Sequence, residues 1–462
     1  MLFLKRIKQK KLNIVEPDFD QEKKGRHLLV WKNIPYWMVV DKEFYKFLKQ
    51  CNGSNSVESI LSEISGSGKV KKDTLQQIQN LLSTGIFDIR QENNFKTPNT
   101  IPIENISINV TNKCNLRCAF CYNIDALSQK TDDELSSDEI ISLLKQTKPF
   151  LSKNPSLAIV GGEPLEFPDK VIAVAEYAIK NHFITLISSN GTKVTDDFAK
   201  RAKEINLEVQ VSIDGHTAQI NDAVRGKGSF EKTIKGIKTL VKNGTYTTLN
   251  LVCHSGNFKY LKNFYEMAVS LGVNEARFIP LKKLGGGLET KYQPVSTMDM
   301  IIESLSIFKK NEKFQKLIGR DCFTILANTC RFSSKRISCG TGLQTFLLDA
   351  DGTIYPCLNT LIQEFKVVNI RDIGFNFKNI WKNSSVLKTH RELTSVQNTE
   401  SPCSKCLVKY WCLGGCRGET YLNKGKLNSS AINCADLRKS ILEMFWILSD
   451  NNSWIKSMEK IG

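Results

Sequence analysis

Between residues 100 and 300, short apolar runs alternate with amphipathic stretches. The runs "ISINVTN" (106–112), "LAIVGGE" (157–163), "ITLISSN" (184–190), "LEVQVSID" (207–214), "TTLNLVCH" (247–254) and "EARFIP" (275–280) read as strands. Between them, "SSDEIISLLKQTKPFL", "DKVIAVAEYAIKN" and "SFEKTIKGIKTLVKNG" carry helical periodicity. The first opens on a capping box, with Ser136 three residues ahead of Glu139, and the last closes on an Asn-Gly C-cap signal. This rhythm predicts an α/β fold with a parallel sheet and covering helices. Six such units make an open, partial (β/α)6 barrel of the TIM type, whose site belongs at the C-terminal ends of the strands.

The flanks are patterned differently. Residues 1–95 offer strand-like "HLLVW" and "PYWMVV", then helical "DKEFYKFLKQCN", "SVESILSEIS" and "KDTLQQIQNLLSTGIF", which together predict a small winged-helix-like module. The polar stretch "DIRQENNFKTPNT" reads as a linker to the barrel, and residues 301–335 as a bridging region. Residues 336–440 show little periodicity but many cysteines and glycines, as expected of a fold organised by metal. A terminal helix is expected over 441–462, capping the barrel.

Composition narrows the class. No run of about 20 apolar residues could span a bilayer, and the N-terminal "MLFLKRIKQKKLNIVE" is too weakly apolar for a secretory signal, so a cytoplasmic protein is expected. Fourteen cysteines in that compartment favour metal or cluster ligation over disulfides. The formal charge of +17 raises the question of nucleic acid, but no dense Arg/Lys stripe interleaved with aromatics supports it. An acidic peptide fits the charge equally.

The cysteines carry the chemistry. "TNKCNLRCAFCYN" places Cys114, Cys118 and Cys121 in a C-x3-C-x2-C loop after the first strand, with no fourth cysteine nearby. Three thiolates can hold three corners of a [4Fe–4S] cube and leave one iron open; a zinc loop borrowing a distant ligand is the alternative. The spacing, with Tyr122 following, resembles the radical S-adenosylmethionine (SAM) signature. The resemblance implies that SAM completes the open iron and is cleaved to a 5′-deoxyadenosyl radical. It further implies that Gly161, Gly162 and Glu163 of "GGEP" hold the methionine amino group. By the same resemblance Asn190 of "SNG" faces ribose or methionine, Ser212 of "VSIDG" offers a hydroxyl to SAM, Asp214 lies toward the substrate, and Arg225 grips a carboxylate.

From Cys339 onward the pattern is C-x12-G-x4-C (Cys339, Gly352, Cys357), then C-x2-C-x5-C-x3-C (Cys403, Cys406, Cys412, Cys416), then Cys434. This array resembles the SPASM extension behind many radical SAM barrels. The resemblance implies two auxiliary [4Fe–4S] clusters, and three clusters in all. Cluster I takes Cys339, Cys357 and Cys416, with Cys330 or else Cys322 as a fourth ligand; cluster II takes Cys403, Cys406, Cys412 and Cys434. A zinc ribbon is the alternative for the closely spaced four. Auxiliary clusters provide an electron exit and so favour net oxidation of the substrate.

The N-terminal pattern resembles the PqqD-like recognition element that binds leader peptides of ribosomally made, modified peptides; a DNA-binding helix-turn-helix is the competing reading. Together the three parts imply a maturase that oxidatively cross-links a precursor peptide, by a cysteine-to-carbon thioether of the sactipeptide or ranthipeptide type or by a carbon–carbon bond. An electron donor such as flavodoxin or ferredoxin is implied. Three other activities compete. An epimerase would need a hydrogen donor, for which Cys253 is a candidate against the plainer role of a buried core residue. A formylglycine-forming maturase would need an aspartate where Leu358 stands beside Cys357. A nucleic-acid-modifying radical enzyme would need a basic binding surface.

Overall fold

A computed structural model describes residues 7–63, 68–82, 84–87, 101–128, 133–309, 311–318 and 336–450. In the N-terminal part, β1 (Lys11–Asn13) pairs antiparallel with β5 (Asn52–Ser56), while β2 (Phe19–Lys23), β3 (Arg26–Trp31) and β4 (Tyr36–Asp41) form an antiparallel meander. Helices follow at Lys42–Gln50, Val57–Glu63 and Gly68–Leu81. The first is capped by Asp41, whose carboxylate accepts from Phe44 N at 2.8 Å. The strands alternate with period two. Leu29, Trp31, Met38 and Val40 face the module's own core with Phe44, Phe47 and Ile60. Leu28, Val30 and Trp37 face outward, into a second apolar cluster with Val396, Trp411 and Phe445. β1, β2 and β5 were not expected from the sequence, because apart from Leu12 and Phe19 their residues are polar and no apolar alternation runs through them.

The barrel strands are β6 (Ile103–Asn109), β7 (Leu151–Val160), β8 (Ile184–Ser189), β9 (Glu208–Ser212), β10 (Thr247–Cys253) and β11 (Glu275–Pro280). All neighbours are parallel, in the order β11-β10-β9-β8-β7-β6. The helix predicted over "SSDEIISLLKQTKPFL" begins with the full capping box at Ser136 but ends at Thr147; Pro149 interrupts it and β7 starts at Leu151. The cysteine-rich region adds β12 (Thr345–Leu348) parallel to β6, then β13 (Thr353–Tyr355) and β14 (Val368–Asn369) antiparallel.

This extension shares the barrel's core. Phe346, Ile354, Phe377 and Trp381 pack in one apolar cluster with Ile106, Leu157 and Leu144. Polar clamps fix the join: Asn109 Nδ2 donates to Asp349 Oδ1 (2.8 Å), and Arg371 forks onto Glu139 (2.8 and 3.1 Å). The last helix, Cys434–Ser449, starts earlier than expected, and residues 451–462 lie outside the described residues. It packs Phe445 against Trp37, ring centroids 4.4 Å apart, and Met444 against Ile301 of the helix Thr297–Lys309. Among the described residues no helix is long and apolar enough to cross a membrane.

Candidate active site

The three-cysteine loop leaves β6 through Thr111 and Asn112, which donate from Oγ1 and N to Glu134 Oε1 at 3.0 and 2.7 Å. Cys114, Cys118 and Cys121 are half-buried on this loop. Two backbone bonds pin it, Ala119 N to Val224 O and Gly286 N to Cys121 O, both 2.9 Å. Gly285 adopts φ +48°, and a Cβ there would stand 2.5 Å from Tyr122 O, so only glycine lets the loop after β11 close down. Burial pushes the Cys114 thiol up to about 11 and the Cys121 thiol up to about 12, and raises Cys118 as well. Thiolates at these positions therefore need a cation to form, which suits metal ligation.

The end of β7 docks directly on the loop. Gly162 N donates to Thr111 O (2.8 Å) and Glu163 N to Lys113 O (2.7 Å). A Cβ on Gly161 would lie 2.4 Å from Thr111 O, and one on Gly162 would lie 2.2 Å from Lys113 O. Glu163 is 1% exposed; its carboxylate accepts from Ser189 Oγ (2.7 Å), Asn190 N (2.7 Å) and Leu165 N (3.0 Å). Burial raises its pKa, and those three donors pull it back. Asn190 is buried too, its Nδ2 donating to Asn115 Oδ1 at 2.9 Å inside the cysteine loop. Gly161, Gly162, Glu163 and Asn190 are thus brought together with Cys114–Cys121. Ser212 ends β9 half-buried, in register with Asn250.

Asp214 and Arg225 pair with each other. Asp214 is wholly buried; Oδ1 accepts from Val252 N (2.8 Å) and Oδ2 lies 2.7 Å from Arg225 Nε. Its carboxylate thus has partners on both oxygens within the fold. Arg225, held in place by this ion pair, extends its charge to Cys118 and Cys121, where it favours the thiolates. Cys253 is fully buried in the barrel's apolar core, and burial raises its thiol to about 12. That environment suits the plainer role of a core residue.

Tyr122 lines a cavity of about 1070 Å3 together with Cys118, Asn123, Asp349, Tyr355 and Leu358. The cavity runs from the cysteine loop to the β12–β13 hairpin. In the C-terminal region, Cys339 and Cys357 both feel the charge of Cys416, and Lys282 lies among the three. Cys403, Cys406 and Cys412 form a second set, each of them feeling the charge of Cys434. Cys330 and Cys322 lie outside the described residues.

Several residues here were not anticipated. Phe120, inside the cysteine loop, meets His254 and Tyr292 with ring centroids 5.4 and 6.3 Å away. His254 Nδ1 accepts from Gly256 N (3.0 Å), while Nε2 is buried without a partner among the described residues. An orphaned ring nitrogen beside aromatic faces fits a flat heteroaromatic such as the adenine of SAM. Lys282 sits after β11; the Cys416 thiolate first, then Cys357, Glu419 and Cys339, raise its pKa against the effect of burial. The signal for Phe120 was the loop's own aromatic content; nothing in the pattern marked Lys282 or His254.

The donor sets therefore fit iron–sulfur clusters and SAM. Residues 108–268 match the radical SAM superfamily, and residues 339–407 match the iron-sulfur cluster-binding domain called SPASM. The chain thus carries a radical SAM domain and a SPASM domain. The first match spans β7 to β10; the second stops short of Cys412, Cys416 and Cys434. The mycofactocin maturase MftC of Mycobacterium tuberculosis (strain CDC 1551 / Oshkosh) is 28% identical over 332 residues, 70% of this chain and 81% of that one. An AdoMet-dependent heme synthase of Methanosarcina barkeri is 26% identical over 338 residues, 69% and 93%. The fold is similar to that of anSMEcpe with bound AdoMet (TM-score 0.59, 19% identity, 75% of this chain and 100% of that chain). It is also similar to Streptococcus suis SuiB bound to its precursor peptide SuiA (TM-score 0.55, 15% identity, 92% and 99%).

Proposed function

We propose that this enzyme oxidatively cross-links a ribosomally made precursor peptide, through a cysteine-to-carbon thioether or a carbon–carbon bond. SAM bound at the three-cysteine cluster supplies a 5′-deoxyadenosyl radical that takes hydrogen from the substrate. Glu163, fixed by Ser189 and Asn190, holds the methionine end of SAM. Arg225, steadied by Asp214, supplies positive charge beside the loop, and Phe120, His254 and Tyr292 receive the base. Three clusters are proposed, the second and third at the two SPASM cysteine sets, with a flavodoxin or ferredoxin as electron donor in the cytoplasm.

The observation that carries this reading is the cavity. It joins Cys118 and Tyr122 to Leu358 and Asn359, directly beside Cys357. A peptide entering it meets the radical loop on one wall and the electron exit on the other. The relatives' names cover both a peptide maturase and a heme synthase, so the choice of peptide also draws on the N-terminal module. Its meander has β2 and β4 at its edges, and a leader strand could add to such an edge. The positive net charge suits an acidic leader. The core position of Cys253 weighs against epimerisation through that residue.

The test is a mass spectrum of the precursor encoded beside the gene, after reaction with the anaerobically reconstituted enzyme, SAM and reductant. Loss of two hydrogens, with fragmentation blocked between two residues, is the expected outcome. One deuterium gained in heavy water without a mass change in light water would replace cross-linking by epimerisation. Cleavage of SAM with an unaltered peptide would remove the proposed substrate.

A further inference from the structure

Arg417 follows Cys416 at the start of the helix Arg417–Lys424 and is 1% exposed. An arginine remains protonated at any working pH, so this places a permanent charge in the interior. Such a charge is costly unless opposite charge or well-placed dipoles answer it. Here backbone carbonyls do so in part: Nη1 donates to Leu427 O (3.1 Å) and Ser429 O (2.9 Å), and Nη2 to Thr394 O (3.5 Å). Among the described residues no carboxylate pairs with it, and its Nε is buried without a hydrogen bond.

Its position explains what is missing. The guanidinium lies against Gly414, where a Cβ would stand 2.0 Å from Nη2 and 2.2 Å from Cζ. Gly414 belongs to the short segment between Cys412 and Cys416, which carries one cysteine of each set. Thr394, whose carbonyl it meets, shares a hydroxyl contact of 3.2 Å with Ser338, next to Cys339. The cation is therefore inserted where the two cysteine sets meet, packed on the Cys412–Cys416 segment and one hydrogen-bonded residue away from Ser338 beside Cys339.

We propose that Arg417 is the shared counter-cation of the two auxiliary clusters, raising the reduction potential of both and making them one electron exit. The inference rests on the two-cluster reading given above. Clusters held by thiolates become more negative on reduction, so a fixed positive charge beside them favours the reduced form, as does an N–H directed at sulfur. The orphaned Nε is available for that second role.

The test uses full-length, anaerobically reconstituted enzyme, with iron and sulfide counted per chain and each cluster titrated by EPR-monitored redox potentiometry. Arg417→Gln should shift the auxiliary signals to lower potential and leave the SAM-responsive signal in place. Arg417→Lys, which keeps the charge, should stay near the wild-type values. Full iron content with unshifted potentials in Arg417→Gln overturns the proposal, and so does a shift confined to one auxiliary cluster. If Arg417→Gln loses auxiliary iron, retention by Arg417→Lys supports the charge role, whereas equal loss in both reduces Arg417 to a structural fork and overturns it. Wild-type iron sufficient for fewer than three clusters removes the two-cluster reading and this proposal with it; a full count with unmoved potentials removes this proposal alone.

Discussion

Asp214 Oδ2 stands 2.7 Å from Arg225 Nε, with 0% of the aspartate side chain and 9% of the arginine side chain exposed. This pair sits behind the cysteine loop, and its geometry gives the two residues different roles. The aspartate balances the arginine, and the arginine faces the cluster ligands.

Removing one member of that pair should therefore be costly. Asp214→Asn leaves a buried guanidinium uncompensated and is expected to destabilise the fold by about 3–5 kcal/mol in urea unfolding. Replacing both, as in Asp214→Leu with Arg225→Met, should recover much of that stability while still weakening SAM binding. Equal SAM affinity in the stable double variant and the wild type would show that the arginine only packs.

The glycines under Glu163 give a second prediction. Gly162→Ala drives a Cβ to 2.2 Å from Lys113 O and 2.6 Å from Lys113 C, both backbone atoms that cannot swing aside. The end of β7 must then lift off the loop and carry Glu163 with it. SAM affinity of the reconstituted enzyme, measured by equilibrium dialysis, is expected to fall about tenfold or more, a loss of at least ~1.4 kcal/mol. Stability should drop by about 1–3 kcal/mol from overpacking alone.

These contacts also show what a one-dimensional pattern can carry. The strand ends were legible because each combines an apolar run with a motif that demands close backbone approach, as Gly161 and Gly162 do. The cysteine spacings were legible because ligand geometry constrains them locally. Contacts made across the chain left no such trace. Asn109 meets Asp349 from 240 residues away, and His254 meets Phe120 only once β10 and the cysteine loop are side by side. β2 was missed for a different reason: "FDQEK" is an outer strand whose side chains are polar and mostly exposed, so nothing in its composition distinguishes it from a loop. The pairing of Asp214 with Arg225 left no trace either, because a motif position says which strand end a residue occupies and nothing of its partner.

The fork between Arg371 and Glu139 predicts a pH dependence. Arg371 is the main cause holding the Glu139 carboxyl down at about 2, against an ordinary 4.5. A lowered carboxylate stabilises the fold above its unfolded pKa and loses that contribution as pH falls through the folded value. The window thus runs from about 4.5 down to about 2. Both side chains are more than a quarter exposed, so solvent screening limits the effect to about 1 kcal/mol. Glu139→Gln keeps the capping box and should flatten that part of the acid limb in pH-dependent unfolding. An unchanged acid limb would place the link between barrel and SPASM domain in the apolar contacts alone.

Trp37 and Phe445 supply the last prediction. Their rings stack at 4.4 Å, both are at most 1% exposed, and they join the outer face of the β3–β4 sheet to the helix that begins at Cys434. Truncating Trp37 to alanine removes one of the three tryptophans of this cluster and leaves a cavity, at a cost of about 3–5 kcal/mol. Because the module keeps its own core around Phe47 and Ile60, that cost should fall on docking rather than on folding of the module. Hydrogen exchange should then rise in β3, β4 and the helix Cys434–Ser449 while the barrel strands stay protected. Rapid exchange throughout the module would instead mean that its sheet depends on the SPASM side for folding. In that case the module could not bind or release a partner as an independent unit.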